Sequence, residues 1–331
     1  MKNQKNLNEL NTGDNINHYL LLKKIELRTT KTNKNYLSLE FSDSSRSVNA
    51  NMWDKVDNVS PLIQQGQVVF VNGTMSEYQG TPQIKVSTIR PVSDKDDISP
   101  SDLLPKSERN LSEMQKEFKD RIEKIANPFL SELIITIFNK DNFEKFSKAP
   151  AGKSWHHAYI SGLIEHTLEI IKICDLMCDF HSEINRDLLV SGAMLHDFGK
   201  TTELNYDSSF EYTNKGKLVG HIVMVAMLIE EETKKIKDFP EDLKNHLIHL
   251  VLSHQGKLEY ASPVVPKTVE AITLYHTDEL SAKVNAYKNA IKREVKEGTN
   301  WTRFISLANT DLSKTDITEY PEEDSKTSLF D

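Results

Sequence analysis

The sequence predicts a multidomain protein in which a small all-β barrel comes first and an all-α domain follows. The first third of the 331-residue chain carries short segments rich in β-branched and aromatic residues. A polar stretch broken by Pro100 and Pro105 comes next, and apolar residues then recur every three to four positions. We expect a barrel over residues 1–92, a linker over 93–112, a helical domain over 113–312 and an acidic, disordered tail over 313–331.

Five candidate strands make up the first segment, and they read HYLLLKKIELR, NYLSLEFSD, RSVNANMWD, QVVFVNGTMSEY and PQIKVSTIRPV. In NYLSLEF, apolar and polar residues alternate, as they do in a strand with one buried face. Turn signals such as NG and QGTP separate the strands, and VSPLIQQG predicts a short helical insert. The number and length of these strands suit an OB-type barrel, a fold that can hold a single strand of nucleic acid, and a small barrel of another topology would show much the same pattern.

Charge and composition narrow the class of protein. The net charge of −8 combines +3 over residues 1–95 with −11 over the remainder, so only the first segment has a positive balance suited to nucleic acid. No apolar run approaches the roughly 20 residues of a membrane helix, so we expect no membrane partner. The N-terminus shows no secretory signal. Cys174 and Cys178 lie in an apolar helical pattern, and we expect both to be reduced. A cytoplasmic protein fits best.

The histidines carry the strongest chemical signal. Ten of the eleven follow residue 150, and His254, for example, extends the apolar stripe of Leu243, Leu247 and Leu250. One such histidine alone is usually a hydrogen-bonded core residue. Five predicted helices, however, each point an imidazole or carboxylate inward, which is costly unless the group is paired or bound to a metal. The candidate ligands are His166, His196, Asp197, His221, His254 and Asp278.

These ligands suit two metal ions. Nitrogen and oxygen donors together favour manganese, iron, cobalt, zinc or nickel. Asp197 is adjacent to His196 and is placed to bridge two ions, which leaves four ligands for one ion and three for the other.

The order His…His-Asp…Asp resembles the HD-domain metal-dependent phosphohydrolases, which are all-helical and bind one or two divalent metals. The blocks WHHAYISGLIEHT, GAMLHDFGK and SHQGKLEYASPVVPKTVEAITLYHTDELSAKV look like a subgroup in which an OB-type domain precedes the HD domain. The resemblance covers about residues 10–310. It implies a manganese-dependent (or similar) 3′-to-5′ exoribonuclease that acts on single-stranded RNA and often on single-stranded DNA. Two positions depart from the pattern: Gln255 stands where some members have a second histidine, and Ser281 where we expect an acidic residue.

A two-metal site suits phosphodiester hydrolysis. We expect Asp197 to orient the attacking water and Lys200 to contact a substrate phosphate, although a lysine at a helix C-terminus is also favoured by the helix dipole. His157 is a candidate leaving-group acid or phosphate donor, whereas His156 is expected to be structural or superficial.

The barrel indicates a polymeric substrate. Basic and aromatic residues fall in its first strands and their loops, and we expect RNA contacts from Arg28, Lys31, Lys34, Tyr36 and Trp53. Such aromatic residues are more often part of a barrel core, and the sequence does not show which of them face outward.

Two other functions remain open at this stage. One is an HD-type phosphohydrolase of nucleotides or cyclic dinucleotides, in which the barrel is regulatory or an oligomer contact. The other is a nucleic-acid-binding protein with a vestigial HD site, which the intact ligand set argues against. The sequence also leaves open whether the chain forms a homo-oligomer.

Overall fold

The computed structural model describes residues 4–296 and 298–315, and it shows a closed five-stranded barrel followed by a helical domain. The barrel strands are β1 (Asn15–Thr29), β2 (Asn35–Ser42), β3 (Ser47–Met52), β4 (Val68–Tyr78) and β5 (Thr81–Pro91). A short helix, α1 (Val56–Val59), and a 3₁₀ turn, Ser60–Leu62, lie between β3 and β4, so the helical insert begins three residues before the predicted segment VSPLIQQG. The predicted order of an all-β barrel ahead of an all-α domain is confirmed.

The barrel closes in the order β1-β2-β3-β5-β4, and its only parallel pair is β3 with β5. Strand β1 pairs with β4 through its first half and with β2 through its second, with a register shift between Leu22 and Lys24. A bulge of this kind bends a strand, so one long strand can serve two sides of the barrel. In β2, Leu37, Leu39 and Phe41 point into the core, as their alternation predicts.

The segment between the domains is ordered in two 3₁₀ turns, Asp94–Asp96 and Pro100–Leu103. Leu103 and Leu104 are buried in an apolar cluster that also contains Tyr19 and Leu21 of the barrel and Phe210 of the helical domain. The predicted linker residues therefore contribute apolar side chains to the contact between the two domains.

The helical domain holds its core between long helices. Its helices are α2 (Leu111–Ile122), α3 (Pro128–Ile137), α4 (Lys140–Lys148), α5 (Gly162–Phe180), α6 (Arg186–Leu195), α7 (Lys200–Glu203), α8 (Asn214–Val219), α9 (His221–Thr233), α10 (Glu241–Ser253) and α11 (Val269–Glu294). Two two-residue strands, β6 (Leu204–Asn205) and β7 (Glu211–Tyr212), pair between α7 and α8. The side chains of Asn127 and Asn185 cap α3 and α6 by accepting hydrogen bonds from backbone amides of the first turn.

The end of the helical domain differs from the prediction. The sequence predicts a helical domain that extends to residue 312, but α11 ends at Glu294, and isolated bridges such as Val295 with Thr302 follow. The helix ends because the backbone of Val295 is extended, with φ −63° and ψ 127°. The predicted acidic tail lies outside the described residues from position 316 onward. Among the helices of the described ranges, none is both long and apolar enough to cross a membrane.

Candidate metal centre

Five helices bring the predicted ligands together in the helical domain. His166 lies within α5 and Asp278 within α11, and both are buried. His221 opens α9, whereas His196 and His254 follow the last residues of α6 and α10. Because α6 and α10 end here and α9 begins here, the side chains at these three helix ends can lie close together.

The carboxylate of Asp197 lies between two pairs of histidines. Its Oδ2 atom is 3.3 Å from Nε2 of His196 and 3.8 Å from Nε2 of His166. Its Oδ1 atom is 3.2 Å from Nε2 of His221 and 3.7 Å from Nε2 of His254. Within each of these two groups the ligand atoms lie within 4.8 Å of one another, which is close enough for both groups to hold a metal ion.

Asp278 reaches the same centre through His166. Its Oδ1 atom is 3.0 Å from Nε2 of His166, the nitrogen that also faces Asp197. A second carboxylate thus borders the His166–His196 side of the centre.

Several buried polar atoms of the centre have no hydrogen-bond partner among the described residues. They are Nε2 of His196, Nε2 of His221 and Oδ1 of Asp197. Buried polar groups in folded proteins are nearly always paired, so such a cluster of lone atoms needs an explanation. Nitrogen and carboxylate donors that converge at this spacing fit divalent metal ions.

Contacts on the far side of the rings orient three of the histidines. Nδ1 of His196 and Nδ1 of His254 each donate to the backbone carbonyl three residues earlier, at 2.7 Å. Nδ1 of His221 lies 2.9 Å from Oε1 of Glu203. Since carbonyl and carboxylate oxygens only accept, each ring carries its proton on Nδ1 and turns the lone pair of Nε2 toward Asp197.

Burial and charge set the protonation of the centre. Burial lowers the pKa of His254 to about 4 and holds the pKa of His166 well below its usual value. Burial opposes the charged forms of Asp197 and His196. The charges of Lys200 and His196 nevertheless lower the pKa of Asp197, and Asp197 raises that of His196. The ionised carboxylate and the neutral rings of His166 and His254 are in the protonation state that binds metal, whereas a metal has to displace a proton at His196.

The barrel carries a polar cavity of about 360 Å³ on its β1–β2–β3 face, lined among others by Lys24, Arg28 and Tyr36. The ring of Tyr36 stacks on that of Trp53, with centroids 4.5 Å apart, and Trp53 is 37% exposed. The other two predicted contacts, Lys31 and Lys34, are exposed in and beside the β1–β2 turn. The predicted RNA-binding residues therefore lie on or beside one face of the barrel.

Comparison with known proteins gives the same two domains. A family model described as HD domain matches residues 163–283, and one described as OB-fold nucleic acid binding domain matches residues 23–92. The 3′-5′ exoribonuclease YhaM of Bacillus subtilis (strain 168) is 32% identical over 304 residues, which cover 91% of this chain and 95% of that protein. The chain belongs to the YhaM family. YhaM proteins of Listeria innocua and Oceanobacillus iheyensis are each 31% identical and cover 92% and 93% of this chain and 97% and 96% of their own.

The match to the HD domain includes all six candidate ligands, from His166 to Asp278, and implies dependence on divalent metal. The OB-fold match includes all five candidate RNA contacts, from Arg28 to Trp53.

Two of the predicted catalytic residues of this YhaM-family chain have partners inside the protein. Nζ of Lys200 donates to Oδ2 of Asp197 at 2.6 Å. His157 is buried behind His166, with Nδ1 2.8 Å from the hydroxyl of Tyr159 and Nε2 3.4 Å from Glu169. His157 therefore lies against the α5 side of the centre rather than beside Asp197.

The sequence gives weaker signals for other residues near the centre. The ring of His156, expected to be structural or superficial, lies 5.4 Å from that of His166, and burial lowers its pKa to about 3. The only feature of the sequence that pointed to a place for His156 near the centre is its position next to His157 in WHH. No spacing rule indicates Glu203, because its contact with His221 crosses from α7 to α9.

Gln255 lies directly on a candidate ligand. Its Nε2 atom is 3.0 Å from Nε2 of His254, the nitrogen that faces Asp197. His254 can bind a metal through Nε2 only when this amide has turned away.

Proposed function

We propose that this chain is a metal-dependent 3′-to-5′ exoribonuclease that hydrolyses the phosphodiester bonds of single-stranded RNA. The observation that carries the proposal is the position of Asp197, whose two carboxylate oxygens face two different histidine pairs. Relatives named 3′-5′ exoribonuclease that match 91% of the chain support the same activity.

We assign the ligands to two ions. His166, His196, Asp197 and Asp278 are proposed for one, and Asp197, His221 and His254 for the other. Mn²⁺ is the proposed metal, with Co²⁺, Fe²⁺, Ni²⁺ and Zn²⁺ as alternatives, because all accept mixed imidazole and carboxylate donors. When bound, two divalent ions neutralise charge on the reacting phosphate and lower the pKa of a nearby water.

The chain's own side chains position the reaction. Asp197 is buried and ionised, and we assign it the orientation of the attacking water. An ammonium group has three donors, and Lys200 uses one on Asp197, so two remain for phosphate oxygens. Nε2 of His157 faces the carboxylate of Glu169 at 3.4 Å, and the ring lies 5.1 Å from that of His166. Its role as a phosphate donor or leaving-group acid is proposed from this nearness to the centre.

The barrel is proposed to hold the RNA strand. Bases stack on Tyr36 and Trp53, and Arg28, Lys31 and Lys34 lie near enough to the same face to bind its phosphates. In this arrangement residues 1–92 bind the strand and residues 113–312 cut it. Stacking and backbone contacts do not require a 2′-hydroxyl, so single-stranded DNA is a further proposed substrate. A reducing compartment such as the cytoplasm is part of the proposal, since Cys174 and Cys178 are free thiols.

A time course on 5′-labelled single-stranded RNA with Mn²⁺ tests the activity. We expect a ladder that shortens from the 3′ end, and no ladder with EDTA or with Asp197→Ala. Asp207→Ala, at an exposed aspartate of the same domain, is the matched control and should degrade RNA normally. Intact RNA in the wild-type lane would contradict the proposal and favour a nucleotide or cyclic-dinucleotide substrate.

A further inference from the structure

Helices α5 and α11 face each other with two pairs of polar residues, each pair three positions apart. His166 and Glu169 lie on α5, and Asp278 and Ser281 lie on α11. Residues at this spacing lie on the same side of a helix, so both pairs meet in the contact between the helices. Nδ1 of His166 is 3.0 Å from Oγ of Ser281, and this hydroxyl donates to Oε2 of Glu169 at 2.7 Å.

The protons available along this chain of contacts determine the tautomer of the His166 imidazole. The hydroxyl of Ser281 has one proton, and the carboxylate of Glu169 can only accept it. Oγ is then an acceptor toward His166, so the ring must donate from Nδ1. Nε2 of His166 is left with its lone pair, and this is the nitrogen that faces Asp278 and Asp197.

We propose that Ser281 and Glu169 are positioning residues that hold His166 in its metal-binding form, with Glu169 acting through Ser281. The other three histidines of the centre need no such device, because their Nδ1 atoms meet carbonyl or carboxylate oxygens that can only accept. A hydroxyl by itself can donate or accept. At His166 the carboxylate of Glu169 accepts the hydrogen bond of the Ser281 hydroxyl, so that the hydroxyl can only accept from the ring. The family resemblance implies an acidic residue at position 281; here a serine that donates to the carboxylate of Glu169 takes that place.

This arrangement also explains the short contact on the other side of the ring. Nε2 of His166 and Oδ1 of Asp278 lie 3.0 Å apart, and both present lone pairs to each other. With its proton on Nδ1, the neutral ring has none to donate from Nε2, so two acceptors face each other, and a cation bound between them would relieve their repulsion. The inference thus rests on the proposed metal centre, but not on RNA as the substrate.

The test is calorimetric titration of the metal-free, full-length protein with Mn²⁺ alone. We expect Ser281→Ala to weaken binding at the His166 group by about 10- to 100-fold, the usual effect of losing such a partner. Ser281→Asp combined with Glu169→Ala places a carboxylate oxygen next to Nδ1 without setting two carboxylates against each other, and it should restore most of the affinity. Ser147→Ala, another buried helical serine whose hydroxyl donates to a backbone carbonyl, is the matched control and should bind Mn²⁺ normally.

A second variant covers the case in which Ser281→Ala does not fold. The side chain of Glu169 is 41% exposed, so Glu169→Met should fold, and we expect it to weaken Mn²⁺ binding by about tenfold. Because Glu169 acts through Ser281, the variant that combines Glu169→Met with Ser281→Ala should bind no more weakly than Ser281→Ala alone. Losses that add would mean that Glu169 acts by another route and would overturn the proposal.

The readouts separate this inference from the proposed function. Wild-type Mn²⁺ affinity in both Ser281→Ala and Glu169→Met would refute the positioning role, even if the wild-type enzyme degrades RNA. A wild-type protein that binds Mn²⁺, loses this binding in Ser281→Ala and leaves RNA intact would refute the exoribonuclease and support the positioning role.

Discussion

The ammonium nitrogen of Lys200 lies 2.6 Å from Oδ2 of Asp197, and both side chains are buried. The lysine therefore neutralises the carboxylate that faces both histidine pairs, at the oxygen directed toward His166 and His196. A positive charge at this point repels a bound cation but attracts a substrate phosphate. Lys200 consequently links the stability of the metal-free protein, its metal affinity and its activity.

Replacing Lys200 should change these three properties in different directions. In Lys200→Met we expect RNA turnover to fall by about 100-fold, because a charged donor to phosphate is lost, while Mn²⁺ binds more tightly. The metal-free variant should be less stable by about 3–5 kcal/mol, since Asp197 loses its buried partner. Turnover assays, Mn²⁺ titration and thermal melts with and without Mn²⁺ measure these effects. Lys215→Met, at an exposed lysine of α8, is the control, and unchanged turnover in Lys200→Met would exclude the phosphate contact.

Removing the amide of Gln255 should strengthen metal binding at the His221–His254 group. The amide occupies the lone pair of Nε2 of His254, and one hydrogen bond contributes about 0.5–1.5 kcal/mol, or roughly a 2- to 10-fold change in affinity. Calorimetric titration of Gln255→Ala with Mn²⁺ measures this change. Weaker binding in the variant would show instead that Gln255 supports the second ion.

The metal-free protein should lose stability as the pH falls from 7 to 5. Burial lowers the pKa of His254 to about 4 and that of His156 to about 3, whereas unfolded histidine titrates near 6.5. In this window the unfolded chain binds protons that the folded chain does not, so the free energy of unfolding decreases as the pH falls. The raised pKa of His196 stabilises the folded protein as the pH falls, but this is one group against the two whose pKa is lowered.

Urea unfolding in EDTA at the two pH values measures this dependence. For His254 alone, the difference between pH 7 and pH 5 is roughly 2 kcal/mol. The variant His254→Asn should therefore depend on pH less steeply by about this amount. Equal slopes for the variant and the wild type would mean that His254 does not titrate as its burial indicates.

The stacked rings of the barrel should contribute to RNA affinity. Trp53→Ala and Tyr36→Ala are each expected to weaken single-stranded RNA binding by about 1–3 kcal/mol, the usual contribution of a base stacked on an aromatic ring. Fluorescence anisotropy in EDTA measures binding without cleavage. Tyr212→Ala, at an exposed tyrosine of the helical domain, should bind as the wild type does. Normal binding by both barrel variants would place the RNA elsewhere.

Local periodicity predicted much of this protein. The alternation in β2 indicated which side chains enter the barrel core, and the apolar stripe ending at His254 placed that histidine in the interior. Both patterns report which face of one element is buried, and they do so because a strand repeats every two residues and a helix every 3.6. The two domains and the six candidate ligands followed from such patterns and from the family resemblance they supported.

Only the tertiary structure decided how these residues face one another. The sequence already suggested that Asp197 bridges two ions, but not which histidines face each of its oxygens. The support of His221 by Glu203 and the contact of Ser281 with His166 likewise join different segments of the chain. Such contacts depend on how helices pack and on which turns meet. A periodic pattern in one helix does not contain this information, because it gives the direction in which a side chain points but not the residue that lies opposite.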